Sequence, residues 1–196
     1  MARFDISPQV IHFTKGRDDE DAFGNLCSIL EAGEIFGAEG NIRGGFTCVC
    51  FTEAPLAALG EGLVNDVAYS KYSAFGVMFD KRHIFALGGR PVIYQSGVEY
   101  DALPEELRWR HMRYEPDQED VVDFTWEREW RVPAGSVQIS AEVAGIVVPD
   151  DAWAQRLIEA HTEQQDWQVW QYSQIMDSTI AQQYREDFNW QLYTLR

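Results

Sequence analysis

The chain has 196 residues, of which 45% are hydrophobic and 13% aromatic, enough to bury one core, so a single globular domain over residues 1–196 is predicted. Acidic residues number 32 against 16 Lys and Arg, which gives a formal net charge of -16. Such a surface repels phosphates and disfavours nonspecific docking on DNA, RNA or anionic membranes. A local nucleotide contact and a basic protein partner remain compatible with it.

The cysteines and the apolar runs of the sequence bear on the cellular compartment in which the protein is expected. Cys27, Cys48 and Cys50 are an odd set in apolar surroundings, which fits a reducing cytoplasm better than a disulfide scaffold. The Cys48-Val49-Cys50 pair lacks the spacing of a structural zinc site, so no metal is predicted. The first residues have no apolar signal core, and no apolar run approaches the ~20 residues of a membrane helix, so a cytoplasmic protein without a membrane partner is expected.

The first predicted elements are a strand, a loop, a helix and a second strand. Residues 10–14 are β-rich and are followed by a charged run, which is typical of a solvated loop. Leu26, Ile29 and Leu30 then recur at helical spacing, and Gly33 is placed to end the helix. After a glycine-rich stretch, residues 46–52 predict a strand that is buried on both faces.

The middle of the chain alternates short helices and strands. Pro55 favours the first turn of a helix that reaches about residue 67. Residues 75–79 predict a strand, which is followed by a short helix that Gly88 and Gly89 end. Gly88-Gly89-Arg90-Pro91 has a composition that suits phosphate, but it precedes a strand at residues 91–95 and is interpreted as a turn. Residues 96–123 predict a helix and a surface excursion.

The C-terminal part predicts a strand at residues 143–148 and a helix with acidic residues at its positive end, beginning near Asp150. Residues 167–172 alternate as a strand does. The tail carries Phe188, Trp190 and Leu192 at period two, which fits a last strand, an ordered clasp or a partner-binding segment. Packing on the domain is the role expected for it.

A pair of acids stands out in Trp126-Glu127-Arg128-Glu129-Trp130-Arg131-Val132. If residues 124–132 form one strand, Glu127 and Glu129 point to the same face and repel each other unless they are compensated. One interpretation is a solvated edge strand on which Arg128 or Arg131 neutralises the acids. The other is the edge of a pocket, where a ligand hydroxyl takes that place.

The order of these features resembles the ADP-ribosyltransferase fold. His12 lies on a first strand, Phe51-Thr52-Glu53 ends a middle strand, and Glu127-x-Glu129 lies on a late one. The motifs His-Phe-Thr, Asn-Leu-x-Ser-Ile-Leu-x-x-Gly, Cys-Phe-Thr-Glu and Trp-Glu-x-Glu-Trp-Arg are similar to those of uncharacterised bacterial abortive-infection domains and DNA-targeting ADP-ribosyltransferase toxins. The resemblance runs from about His12 to Val132. It implies an α+β fold with a bent, split, mixed or antiparallel sheet and flanking helices.

The same resemblance implies a mono-ADP-ribosyltransferase that uses NAD as co-substrate, needs no metal and modifies a protein or nucleic-acid acceptor in a toxin, phage-defence or counter-defence setting. Glu129 would be the catalytic acid that stabilises the oxocarbenium-like charge, and Glu127 would position or deprotonate the acceptor. The implied NAD-binding residues are His12, Phe13, Thr14, Arg43, Thr52 and Tyr72.

Several alternatives stay open at this point. Tyr69, Tyr72, Phe75 and Thr52 compete for the middle position of the motif, and Glu53 is a rival acid. Water in place of the acceptor would give NAD hydrolysis. A non-catalytic acidic module of the same fold, which blocks or recognises a basic protein partner, would retain the cleft but not the chemistry.

Overall fold

The structure is a computed structural model that describes residues 6–40, 42–59 and 73–195. The predicted NAD-binding residue Tyr72, its competitor Tyr69 and most of the helix predicted to reach residue 67 lie outside the described residues. The described part is a mixed α/β structure with a mostly antiparallel sheet and helices. This agrees with the α+β class that the sequence predicts.

The regular elements alternate along the chain, and short 3-10 turns connect several of them. The strands are β1 (Gln9–Phe13), β2 (Glu34–Phe36), β3 (Val49–Thr52), β4 (Gly76–Asp80), β5 (Arg90–Pro91), β6 (Ile93–Gln95), β7 (His111–Arg113), β8 (Glu129–Val132), β9 (Ser136–Gln138), β10 (Ala144–Val148) and β11 (Gln191–Thr194). The helices are α1 (Asp19–Ala32), α2 (Leu56–Ala58), α3 (Lys81–Ala86), α4 (Asp151–Ser173) and α5 (Ser178–Gln182).

Seven of the described strands form the central sheet in the order β11-β10-β4-β1-β3-β8-β5. All neighbours in this sheet are antiparallel except β10 and β11. Two small sheets flank it, an antiparallel β2–β9 pair and a parallel β6–β7 pair. Of the tail's period-two residues, Leu192 lies in strand β11, whereas Phe188 and Trp190 precede that strand.

The helix boundaries follow local capping chemistry. The side chain of Asp18 accepts a hydrogen bond from the backbone N–H of Asp21 at the start of α1, and Asp150 does the same for Ala152 at the start of α4. Gly33 ends α1 with φ of 69°, a left-handed conformation that glycine adopts without strain. The predicted stop at Gly33 is thus confirmed.

The two faces of the central sheet differ in composition. Because side chains alternate along a strand, the strand pairing assigns each residue to a face. One face, called here the helix-covered face, packs against Phe23 and Leu26 of α1 and Leu157 of α4. It carries Val10, Val49, Phe51, Val77, Phe79, Trp130, Val132, Ile146 and Val148.

The opposite face, called here the mixed face, is apolar at one end and polar at the other. Around β1, β4 and β10 it presents an apolar group next to α2. Around β3 and β8 it presents Cys50, Thr52, Glu129 and Arg131. These four side chains are adjacent because Cys50 is paired with Arg131 and Thr52 with Glu129. Of the predicted site residues, Thr52 and Glu129 lie together at the polar end of the mixed face.

Two predicted strands are wrong. Residues 167–172 lie within helix α4, because Gln165, Val169 and Tyr172 also fit a helical period and the first two are buried on its inner side. The strand predicted over residues 124–132 begins only at Glu129, after a 3-10 turn at Thr125–Glu127.

Candidate functional site

Glu127 and Glu129 occupy different kinds of backbone. Glu127 ends the 3-10 turn, and Arg128 has φ of 45° and ψ of 50°, a left-handed conformation that is uncommon for a residue with a side chain. Glu129 is the first residue of β8. The expectation that the two acids share one strand face is therefore wrong. The left-handed residue between them separates a partly exposed Glu127 from a buried Glu129.

Glu129 forms a two-pronged ion pair with Arg131. The Arg131 Nε donates to Oε1 of Glu129 at 2.7 Å, and its Nη2 donates to Oε2 at 3.1 Å. Both residues are buried, with 6% and 2% of their surfaces exposed. The remaining Nη1 of Arg131 donates to the carbonyl oxygens of Trp109 and His111, each at 2.9 Å. Arg131 thus anchors the segment around β7 to β8, and both carboxylate oxygens of Glu129 are engaged.

Arg131 responds electrostatically to Glu129 within this ion pair, which is called here the Glu129–Arg131 clip. Burial by itself lowers the pKa of the Arg131 guanidinium, but the hydrogen bond and charge of Glu129 more than offset burial, and the pKa lies above its ordinary value. Two opposite buried charges stabilise each other only when both remain in place. The pair therefore stabilises this end of the sheet only while both residues are present.

The backbone around Glu127 is held from three sides. The Thr52 hydroxyl donates to the carbonyl oxygen of Glu127 at 2.5 Å, and the Glu53 N–H donates to the carbonyl of Arg128 at 3.2 Å. From the other side, the Tyr94 hydroxyl donates to the Phe124 carbonyl at 3.3 Å. The segment that carries Glu127 is thereby fixed against the ends of β3 and β8.

Tyr94 is a functional candidate that the sequence did not indicate. Its hydroxyl also accepts the backbone N–H of Glu129 at 3.3 Å. Burial, together with the charges of Glu129 and Glu127, raises the pKa of Tyr94 to about 12. The phenol therefore remains a neutral hydrogen-bond donor beside the two acids. Its only sequence signal was a position on a short β-rich run, which core tyrosines share.

The surroundings of Cys50 disfavour its thiolate form. Burial raises the pKa of its thiol well above the ordinary range, and the carboxylate of Glu129 raises it further. The same direction holds for Cys48, again chiefly through burial. Both thiols stay protonated at neutral pH. The described cysteines are free, as the sequence predicts.

His12 lies on β1, next to the neighbouring strand with which β1 shares the fewest residue pairs. Strands β1 and β3 share one residue pair in register, Ile11 with Thr52. Beyond that pair, the His12 imidazole bonds the backbone carbonyl of Cys50 at 2.8 Å through Nδ1. A carbonyl oxygen only accepts, so Nδ1 carries the proton. Burial lowers the pKa of His12, with Lys15 also lowering it and the Cys50 hydrogen bond opposing, so the ring is neutral and Nε2 keeps its lone pair.

Phe13 and Thr14 lie within the packed interior rather than in an open site. Phe13 belongs to the apolar group on the mixed face and is 5% exposed. The Thr14 hydroxyl bonds Ser73 at 3.0 Å and donates to the carbonyls of Ala22 and Phe75 at 3.2 and 3.1 Å. Thr14 therefore ties the end of β1 to α1 and β4. These contacts account for its burial without a ligand.

Arg43 belongs to a neighbouring cluster. It donates to the carbonyl oxygen of Gly97 at 2.6 Å, stacks over the Tyr100 ring at 4.1 Å and lies 3.7 Å from a carboxylate oxygen of Asp101. Tyr100 in turn meets His111 edge to face at 5.2 Å, and His111 accepts from Arg131. The cluster is thus linked to the Glu129 clip through packed side chains, with Arg43 half-exposed at its outer end.

Glu53, the rival acid, has a structural environment. It accepts the Trp130 indole N–H at 2.6 Å and pairs with Lys81 at 2.6 Å. Lys81 also donates to the carbonyl of Ser7 at 2.8 Å. With both carboxylate oxygens engaged, Glu53 connects the end of β3 to the start of α3.

Among residues 6–40, 42–59 and 73–195, no group of three or more His, Cys, Asp or Glu is arranged to hold a metal ion. The described helices include none with the length and apolar character needed to cross a bilayer. No protein-family model, no curated protein and no solved structure gives a significant match to this chain.

Proposed function

We propose that the protein transfers ADP-ribose from NAD to a macromolecular acceptor, with Glu127 as the acid that contacts the substrate. The observation that carries the proposal is the corner where β3 and β8 end. There a partly exposed Glu127 is held by Thr52, beside a neutral Tyr94 and above the buried Glu129–Arg131 clip. The mixed sheet, divided at His12, supports the ADP-ribosyltransferase-like fold that the motif order implies.

Each group in this corner has a chemical role in such a transfer. The bond between ribose C1′ and the nicotinamide nitrogen breaks, and nicotinamide leaves with the electron pair. The Glu127 carboxylate stabilises the positive charge that develops on the ribose. The acceptor nucleophile then bonds C1′, and Glu127 takes its proton.

The remaining residues orient the reacting partners. Thr52 fixes the Glu127 backbone, and the Tyr94 hydroxyl supplies a donor close to the acids. His12 shares the helix-covered face with Val77, and its ring meets Phe51 edge to face at 6.0 Å, so it is assigned no contact with the ribose. Arg43, half-exposed at the end of its cluster, supplies a cation for the pyrophosphate. The Glu129–Arg131 pair supports the corner from below and does not contact the substrate.

The test is nicotinamide release from NAD by the purified protein, alone and with a bacterial lysate that supplies acceptors. Glu127→Gln keeps the side-chain shape and removes the charge, so release is expected to fall by about 100-fold or more with an unchanged melting temperature. Glu119→Gln, at an exposed position in the preceding loop, is the matched control and should retain full release.

A second variant tests the positioning of the acid. Thr52→Val keeps the volume of the side chain but removes the hydroxyl that holds the Glu127 carbonyl and accepts the Ala54 N–H. Release is expected to fall about tenfold, chiefly through kcat, because a loosely held acid still binds substrate. A loss of stability without a change in kcat would limit Thr52 to a structural role.

The second candidate function is a non-catalytic module that recognises a basic protein partner. The engagement of both Glu129 oxygens by Arg131 favours it, because that acid is then committed to structure. The formal charge of -16 supplies the complementary surface. A folded protein that neither binds NAD at millimolar concentration nor releases nicotinamide in the presence of lysate would overturn the transferase proposal and leave this candidate.

A further inference from the structure

Two arginines meet at the open edge of the central sheet without a carboxylate. Arg90 lies on β5, the outermost strand, and Arg110 ends the 3-10 segment Glu105–Arg110. Arg90 Nη1 donates to the carbonyl oxygens of Phe85 and Gly89 at 2.9 and 2.6 Å, and Arg110 Nε donates to that of Pro91 at 2.9 Å. Within the described residues, neither forms an ion pair.

The backbone geometry places both guanidinium groups on the same side of β5. Val92 N–H donates to the Glu129 carbonyl, toward β8, and backbone groups alternate in direction along an extended strand. The carbonyls of Gly89 and Pro91 therefore point away from β8, separated by two residues or about 7 Å. The arginines that bond them lie side by side along this edge.

Most N–H donors of the two guanidinium groups make no hydrogen bond to the described residues. Arg90 uses Nη1, and Arg110 uses Nε, so Nη2 and Nε of Arg90 and both Nη groups of Arg110 have no hydrogen-bond partner among the described residues. Both side chains are partly exposed, and the Phe85 ring stacks on Arg90 at 3.7 Å and fixes its plane. Several N–H donors thus lie at one position with fixed orientation.

The like charges are close enough to oppose each other. Burial lowers the pKa of Arg110, and the positive charge of Arg90 lowers it further. Arg90 caps the end of α3 by bonding the Phe85 carbonyl, and Arg110 covers the edge of β5 by bonding the Pro91 carbonyl. Neither task requires a second arginine beside the first. In a chain with twice as many acids as bases, this edge holds two neighbouring cations without a carboxylate partner among the described residues.

We propose that Arg90 and Arg110 form an oxyanion site that takes the phosphate group of a small, nucleotide-sized ligand. Planar guanidinium donors match phosphate oxygens, and a bridging anion would remove the repulsion between the two arginines. The overall charge of -16 disfavours a polynucleotide, whose many phosphates would meet the acidic surface around this site. The site does not include Glu127, and the inference does not rest on the proposed transferase activity.

The test is calorimetric titration of the whole protein at low ionic strength with pyrophosphate alone, so the result does not depend on whether NAD is a substrate. Arg110→Gln is expected to weaken binding at least about tenfold, and Arg110→Lys to weaken it less, because Lys keeps the charge but loses the fork. Arg156→Gln removes a cation that pairs with Glu20 elsewhere and should leave binding unchanged.

Three outcomes would overturn the proposal. These are no binding of pyrophosphate to the unaltered, folded protein, an equal loss of affinity in Arg156→Gln and Arg110→Gln, or, in a parallel titration, binding of a single-stranded oligonucleotide more tightly than pyrophosphate. The last would assign the site to a polynucleotide. Melting temperatures measured for each variant separate a lost site from a lost fold. Arg90→Gln should repeat the Arg110→Gln result.

Discussion

On the helix-covered face of the central sheet, neighbouring strands present Val77, Phe79 and Ile146 to helices α1 and α4 within one cluster of buried apolar side chains. At the β3–β8 end of the mixed face, the same strand pairing presents Cys50, with Glu129 and Arg131 as a buried ion pair. Apolar contacts have no direction and tolerate repacking, whereas an ion pair fails when either partner is lost. The helix-covered face therefore contributes mainly burial energy, and the ion pair on the mixed face fixes the positions of β8 and the segment around β7.

The largest expected effect breaks the ion pair on the mixed face. Arg131→Met leaves the buried Glu129 charge without its partner and is expected to cost about 4 kcal/mol of unfolding free energy. Combining it with Glu129→Leu removes both charges and should recover most of that loss. Denaturant unfolding of the two variants measures this difference. A double variant as unstable as the single one would show that the carbonyl contacts of Arg131, and not the charge pair, hold this end together.

A core truncation on the helix-covered face sharpens the contrast. Ile146 is fully buried in β10, so Ile146→Ala is expected to cost about 3 kcal/mol through lost burial and a residual cavity. Unlike the loss at Arg131, this one has no charged partner whose removal would rescue it. Unfolding in denaturant measures the cost, and nicotinamide release measured on the same variant should stay intact below its unfolding transition.

The smallest expected effect is a pH dependence at the boundary between the two halves of the sheet. The pKa of folded His12 lies below its ordinary value of 6.5, so the unfolded chain binds this proton more readily than the folded one. The stability that neutral His12 contributes is therefore present above about pH 6.5 and declines as the pH falls below it. His12→Gln keeps a donor for the Cys50 carbonyl and should flatten this slope. Unfolding at several pH values, with His161→Gln as the imidazole control, checks it.

Local signals explain what the sequence could predict. Gly33 and Asp150 mark helix ends through capping chemistry that depends on a few neighbouring residues, and both positions agree with the structure. The strands around His12 and Thr52 follow from β-rich runs bounded by polar segments. The mixed α/β class is visible from these elements alone.

The rest depends on long-range or unusual backbone geometry. Nothing in the sequence marks Arg128 as left-handed, because glycine or asparagine usually occupies that conformation. This residue separates the partly exposed Glu127 from the buried Glu129, which the sequence had placed on one strand face. Trp167 and Val169 match the period of a strand, and Trp167 and Trp170 match that of a helix; the length of α4 decides between the two. The contribution of Tyr94 arises from a contact with Glu129, 35 residues away.

The single residue pair between β1 and β3 divides the central sheet into two ladders. Strands β11, β10, β4 and β1 form one continuous set of backbone hydrogen bonds, and β3, β8 and β5 form the other. Amide protons along this seam should exchange with solvent through local opening, well before those of β4 or β10. Because the seam joins the β4–β1 part of the sheet to the β3–β8 part that carries Glu129, slight breathing there would let the two parts shift relative to each other while each stays rigid.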